Sequence, residues 1–277
     1  MKKKLTLVVT CVVLVAAMVI GGTLAYFTDK TEDAVNTFTA GNVKIALNEQ
    51  RRGKTGLEAF EQNKVLNPGT DSDGNAVSKI VSVTNTGDND AWVWVDMLIP
   101  SYLLDSKNPV DQTYNALHFQ EYGAFSQRYW KTYGPTSSAS APVRDHIMAL
   151  NEETGKYEVI VENMVQVSEN TVWTDWEKVS TETNTETGVE YTILRTKMVG
   201  TLPSGKISLP CLCQVYMDWR VTSDGTNYTM VTDKDNNTRQ FPVSNTWEVV
   251  MRTYAIQADG IANVDKAVEF YNNNGNA

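Results

Sequence analysis

Cys213-Gln214-Val215-Tyr216-Met217-Asp218-Trp219-Arg220-Val221 alternates apolar and polar side chains with period two. Cys213, Val215, Met217, Trp219 and Val221 share one face of an extended chain. Gln214, Tyr216, Asp218 and Arg220 share the other. An antiparallel strand with one face on a core and one in water reads this way. The same alternation recurs outward from it. Val43, Ile45 and Leu47 alternate with Lys44 and Ala46. Residues 79–84 and 91–99 flank the turn-forming run Asn85-Thr86-Gly87-Asp88-Asn89-Asp90, which reads as a hairpin. Residues 157–167 carry Val159, Val161, Val165 and Val167, read as one face of a further strand. Residues 189–198, 228–232 and 247–256 complete the set, with turns expected at Asp224-Gly225 and at 233–237.

Helical periodicity is scarce. Ile261, Val264, Val268 and Tyr271 predict one short helix near the C-terminus. Residues 103–133 read as an elaborated loop with a helix around 115–125. Residues 134–142 form a Pro- and Ser-rich connector, and 181–187 a polar tip. The fold class expected is therefore all-β: an antiparallel β-sandwich of jelly-roll type. It carries a long loop/helix excursion at about 100–180 and a short C-terminal helix. The sandwich domain is expected over residues 38–277, preceded by a mobile segment at 26–37.

The N-terminus has the layout of an export signal. Lys2, Lys3 and Lys4 precede an uncharged apolar run at residues 5–20, and Thr23-Leu24-Ala25 ends in a small residue. Cleavage is expected between Ala25 and Tyr26. The alternative is a retained anchor, for which the run falls short of the ~20 residues that span a bilayer. Cleavage would leave 252 residues and move the net charge from −9 to −12, since the signal holds three lysines and no acids. So acidic a chain repels nucleic acid and anionic lipid. Of three cysteines only Cys211 and Cys213 would remain, too few for a disulfide framework. Two residues apart on a strand, they are expected as buried thiols rather than a mutual disulfide; an intermolecular cross-link is the alternative.

Gly21-Gly-Thr-Leu-Ala-Tyr-Phe-Thr-Asp29, then Asn36-Thr-Phe-Thr-Ala-Gly-Asn-Val-Lys-Ile-Ala-Leu47, resembles exported proteins processed by the SipW-type signal peptidase of Gram-positive bacteria. That group includes the TasA and camelysin family of biofilm-matrix proteins. Leu66-Asn-Pro-Gly69, Val81-Ser-Val-Thr-Asn-Thr-Gly87 and Trp92-Val-Trp-Val95 are similar to the family's pattern near the start of its fold. Tyr254-Ala-Ile-Gln-Ala-Asp-Gly260 is similar to the tails of some relatives. The resemblance does not extend over residues 100–200. It implies a secreted jelly-roll subunit that polymerises into extracellular fibres, with an N-terminal segment serving as donor strand for the next subunit. The candidate donor is residues 26–37, with Tyr26, Phe27 and Val35 as apolar anchors. The plain alternatives are a disordered tail or the first strand of the chain's own sheet. The implied partners are other copies of the chain and the SipW-type peptidase, with no nucleic acid and no membrane after cleavage.

Camelysin-like members are described as metallopeptidases, so zinc enters the reading. The only histidines, His118 and His146, lie outside any H-E-x-x-H arrangement and are expected to be ordinary loop residues. No catalytic residues and no cofactor are expected. A weak structural calcium is the one metal considered, at Asp71, Asp73 and Asn75 or at Asp233, Asp235 and Asn237. Both runs lack the acidic twelfth position, where Ser82 and Ser244 stand, and turn chemistry is the plainer reading. Trp92, Trp94, Trp173 and Trp176 would make a sugar-stacking platform if exposed. The plainer expectation covers both faces of the Trp92–Trp94 strand, by a second sheet and by the 103–133 excursion. Besides the fibre subunit, two readings stay open: a surface module that binds a host protein or glycan through residues 100–180, and a metal-dependent peptidase.

Overall fold

The computed structural model describes residues 28–31, 43–62, 64–69, 75–120, 125–128, 131, 144–242 and 247–274. In chain order the strands are β1 (Thr28–Thr31), β2 (Ile45–Arg52), β3 (Leu57–Ala59), β4 (Pro68–Gly69), β5 (Val77–Asn85), β6 (Ala91–Pro100), β7 (Leu117–Gln120) and β8 (Met148–Asn151). They continue with β9 (Lys156–Val159), β10 (Glu177–Thr183), β11 (Glu190–Lys197), β12 (Leu212–Asp218), β13 (Thr222–Ser223), β14 (Asn227–Val231), β15 (Thr238–Pro242) and β16 (Val250–Gln257). A short helix α1 (Arg144–Ile147) precedes β8, and α2 (Val264–Asn274) follows β16.

Two larger sheets face each other. One has the order β1-β16-β6-β11-β10; the other has β3-β2-β5-β12-β4, with β7 also paired to β12. All pairs are antiparallel except β12 with β4. Alternation decides which side chains go inside. Val93, Val95, Met97 and Ile99 from β6 meet Ile45, Val81, Val83, Leu212, Cys213 and Met217 from the opposing sheet in one core. Each large side chain buried there contributes about 1.5–3 kcal/mol relative to exposure. The all-β antiparallel sandwich expected from the sequence is the observed fold. The strand orders do not by themselves assign the jelly-roll type.

The connection at Asn85–Asp90 is not a hairpin. β5 has β2 and β12 as neighbours, and β6 has β16 and β11, so neither has an edge to give the other. The segment instead crosses between the sheets. Asn85, fully buried, braces it: its Nδ2 donates to Asn89 O (2.8 Å) and Leu202 O (2.9 Å), and its Oδ1 accepts from Gly87 N (3.0 Å).

Other boundaries move for local reasons. The expected strand at 157–167 ends at Val159, followed by a turn in which Asn163 adopts φ 60°. Residues 117–120, expected within a helix, form β7, where Leu117 and Phe119 are buried and His118 and Gln120 half-buried. The strand at 213–221 stops at Asp218, leaving Trp219 66% exposed rather than inward. That at 247–256 begins at Val250; Trp247 joins an aromatic cluster with Tyr228 and Phe241. The polar run from Glu177 to Thr183 is a strand, and its last three residues, Thr181 to Thr183, take the start of the expected 181–187 tip. The helix α2 is where the periodicity places it. Asn263 Oδ1 accepts from Lys266 N (3.0 Å) at its start, and Val264, Ala267 and Tyr271 turn inward.

Candidate functional site

The edge at which the N-terminal segment meets the sandwich is the candidate site. β1 lies antiparallel on β16, with Thr28 opposite Ile256, Asp29 opposite Ala255, Lys30 opposite Tyr254 and Thr31 opposite Thr253. β16 is a continuous platform because both its faces are covered. Thr253 and Ala255, fully buried, turn to the main core. Tyr254 and Ile256 turn outward under α2.

The outward packing is aromatic. Trp94, fully buried, stacks on Tyr254 (centroids 5.6 Å, interplanar 6°) and meets Tyr271 of α2 edge-on (5.4 Å, 77°). Trp92 Nε1 donates to Ile261 O (3.1 Å) ahead of the helix. Lys197 Nζ ties α2 to the sheet, 2.9 Å from Asp265 and 2.8 Å from Glu177. Burial drives the Tyr254 phenol well above its ordinary value, with Asp96 adding to the rise.

Beside this layer runs a row of alternating charge. Arg252 of β16 stands opposite Asp96 of β6, Asp96 opposite Arg195 of β11, and Arg195 opposite Glu177 of β10. Arg195 donates to Asp96 through Nε (2.6 Å) and Nη2 (2.7 Å). Arg252 donates to both oxygens of Glu182 (2.8 Å each). Burial by itself would lower the Arg195 pKa, but the Asp96 carboxylate holds it above the usual value.

The far edge of the same sheet is different. β10 is polar and almost wholly exposed, and its pairing with β11 is interrupted by a bulge between Lys178 and Ser180. Charge and bulging are devices that discourage a further strand. β3 and β4 in the other sheet are three and two residues long.

Of the residues singled out from the sequence, Ala25, Tyr26, Phe27 and Val35 lie outside the described residues, as do Asp71 and Asp73. Asn75 donates to Pro68 O (3.2 Å). Asp233 Oδ1 accepts from Asp235 N (3.0 Å) and Asn237 N (3.1 Å), and its Oδ2 from Asn237 Nδ2 (2.8 Å). Its carboxylate is thus spent on closing a turn. Cys211 and Cys213 are buried thiols. Trp94, Trp173 and Trp176 are buried and Trp92 half-buried, so they form no exposed platform. α2, rather than the 103–133 excursion, covers Trp92 and Trp94.

The histidines were expected as plain loop residues, and for His118 the structure adds a constellation. His118 Nε2 lies 2.7 Å from Asp218 Oδ2, with the ring stacked on Tyr216 at 4.8 Å. Arg220 donates to both Asp218 oxygens (2.8 Å each) and to Thr113 O (2.5 Å). Burial pushes the Asp218 pKa up, but Arg220 and His118 outweigh it and hold the carboxyl far below its ordinary range. Asp218 and Arg220 two residues apart were visible in the sequence; their convergence with His118, a hundred residues away, was not.

The profile of a family described as Camelysin metallo-endopeptidase matches residues 1–88. No curated protein and no solved structure matches the chain. Among the described residues no group of three or more His, Cys, Asp or Glu is arranged to hold an ion. At His118 and Asp218 the arginine guanidinium occupies the carboxylate that a cation would need, so the residues do not fit a metal centre. Over residues 1–88 the chain is thus similar to that family.

Proposed function

We propose that the chain is a secreted structural subunit of an extracellular matrix or surface fibre, whose N-terminal segment serves as donor strand to a neighbouring copy. The observation that supports this most is the placement of Thr28–Thr31 on the edge of β16. A strand added at an edge is held by main-chain hydrogen bonds, which an identical strand from another copy supplies equally well. The polar, bulged β10 makes the opposite edge a poor recipient. On this reading residues 1–25 direct export through a SipW-type peptidase, and cleavage frees the donor. Among the described residues no helix is long and apolar enough to cross a membrane.

A cysteine pair tests the exchange. Asp29 and Ala255 are opposite in register. Oxidised D29C/A255C protein is expected to give a ladder of covalent multimers at high concentration. Intramolecular cross-links alone, under conditions where the parent chain forms fibres, would overturn donor-strand exchange. Fibres of normal length from a chain lacking residues 26–37 would do the same.

A further inference from the structure

The excursion ahead of β7, the segment at Phe125–Arg128 and the chain entering β10 enclose a surface cavity of about 290 Å³. Its floor is aromatic: Phe119 (1% exposed) and Trp176 (6% exposed) meet edge-on at 6.2 Å and 80°. Its rim is polar, formed by Asn108, Asp111, Arg128 and Asp175, all exposed. The wall is held in place. Asn115, fully buried, accepts from Asp105 N (2.7 Å) and donates to Pro109 O (2.7 Å). Gln112, in a left-handed conformation (φ 64°), accepts from Phe119 N through its Oε1 (2.8 Å). Such bracing pre-forms a site instead of leaving it to be ordered on binding.

One feature of the floor is unfinished. Trp176 Nε1 is buried and has no acceptor among the described residues. A buried indole N–H left unpaired is costly, and an oxygen brought in by a ligand would satisfy it. Trp173 Nε1, by contrast, donates to Leu209 O (2.7 Å), while Trp94 Nε1 and Trp247 Nε1 share the unpaired state of Trp176 but do not line this cavity. Asn108 and Asp175 also make no hydrogen bond to another described residue.

We propose that this cavity binds one neutral monosaccharide unit, free or within a polysaccharide. Carboxylates and an amide at the rim accept from and donate to vicinal hydroxyls, and the Trp176 indole N–H supplies a donor at the floor. The volume is at the small end for a ligand site, suited to one sugar ring rather than a larger ligand. Two carboxylates against one guanidinium leave the rim net acidic, which disfavours an anionic sugar. This inference is independent of donor-strand exchange, because none of its residues lies at the β16 edge.

The test is NMR of the chain from Tyr26 to Ala277, which holds every described residue, with the Trp176 indole cross-peak assigned through W176F. Methyl glucoside, methyl galactoside, N-acetylglucosamine, glucuronate and a zwitterionic dipeptide are titrated separately. At least one neutral sugar is expected to shift that peak saturably, with a Kd in the millimolar range that a ligand of this size supports. D175A, at an exposed position that should not disturb folding, is expected to weaken binding about tenfold, and W176F about fivefold by chemical shifts elsewhere in the cavity. No saturable shift with any neutral sugar up to about 100 mM, a concentration far above millimolar affinity, would overturn the proposal. So would unchanged affinity in D175A, or a stronger response to glucuronate or the dipeptide.

Discussion

Replacing Asp96 by Ala removes the carboxylate from the middle of the charge row and leaves its partner behind. The side chains of Asp96 and Arg195 are 5% and 13% exposed, and two donated hydrogen bonds of 2.6 and 2.7 Å join them. The guanidinium then sits largely out of water, and the carboxylates beside the row are already engaged, Glu177 by Lys197 and Glu182 by Arg252. Breaking a buried pair in this way costs about 3–5 kcal/mol, whereas replacing both members by apolar groups of similar size is near neutral. For a domain of this size about 3–5 kcal/mol lowers Tm by roughly 6–20 °C. Urea unfolding of wild type, D96A, R195M and the D96L/R195M double variant separates the two effects. D96A should be the least stable and the double variant within about 1 kcal/mol of wild type. A D96A loss under about 1 kcal/mol, or a double variant as unstable as D96A, would refute the assignment of Asp96 to charge neutralisation.

Trp94 should tolerate loss of its indole nitrogen better than loss of its ring. Its Nε1 has no partner among the described residues, so W94F is expected to cost far less than W94A, at about 3–5 kcal/mol by thermal unfolding. Asp218 should give the fold an acid-sensitive component. Its folded pKa is depressed, so its contribution is complete above the ordinary carboxylate range and is lost as pH falls through that range toward the folded value. The stability difference between wild type and D218N should therefore be constant from pH 7 to about 5 and shrink below that; a difference that grows toward low pH contradicts the pairing.

Legibility in the sequence followed the locality of the cause. At residues 213–217 alternation correctly sends Val215 and Met217 inward, but the face expected in water is covered too: Gln214 is buried beside Gln120. Asp218, on the same face, was likewise misread, since its burial depends on His118 and Arg220 closing over it. β10 carries no apolar alternation and exists as an edge strand held by the main chain of β11, which no local pattern reports. The 85–90 segment has the residues of a hairpin turn, and only the distant partners β2, β12, β16 and β11 make it a crossing between sheets. The cavity floor likewise joins Phe119 to Trp176, 57 positions apart by their numbers, through a pairing that periodicity does not encode. Burial of both faces of β6 was foreseeable from Trp92-Val93-Trp94-Val95. That the cover is α2 follows from the meeting of Tyr271 with Trp94 in three dimensions.

The geometry of β16 also bears on when the proposed exchange would prevail. A donor that only repeats the four pairs seen within one chain gains nothing in contacts. Polymerisation then competes with an intramolecular strand whose effective concentration, for a short linker, is on the order of millimolar. β16, however, has eight residues, and β1 faces only Thr253 to Ile256. Within one chain β1 is connected to β2, which begins at Ile45 in the other sheet. A strand from a neighbour carries no such tie to the recipient's own β2 and would continue the register along Arg252, Met251 and Val250, with Glu32 brought opposite Arg252. Two or three further hydrogen bonds at about 1 kcal/mol each would lower the threshold concentration roughly 30- to 150-fold. Substituting Ala34→Pro, which removes a donor and stiffens the chain in the extension but leaves the four in-chain pairs intact, should then raise the critical concentration for fibres without lowering the Tm of the monomer. Equal changes in both quantities would mean that the neighbour's strand uses no more of β16 than the chain's own.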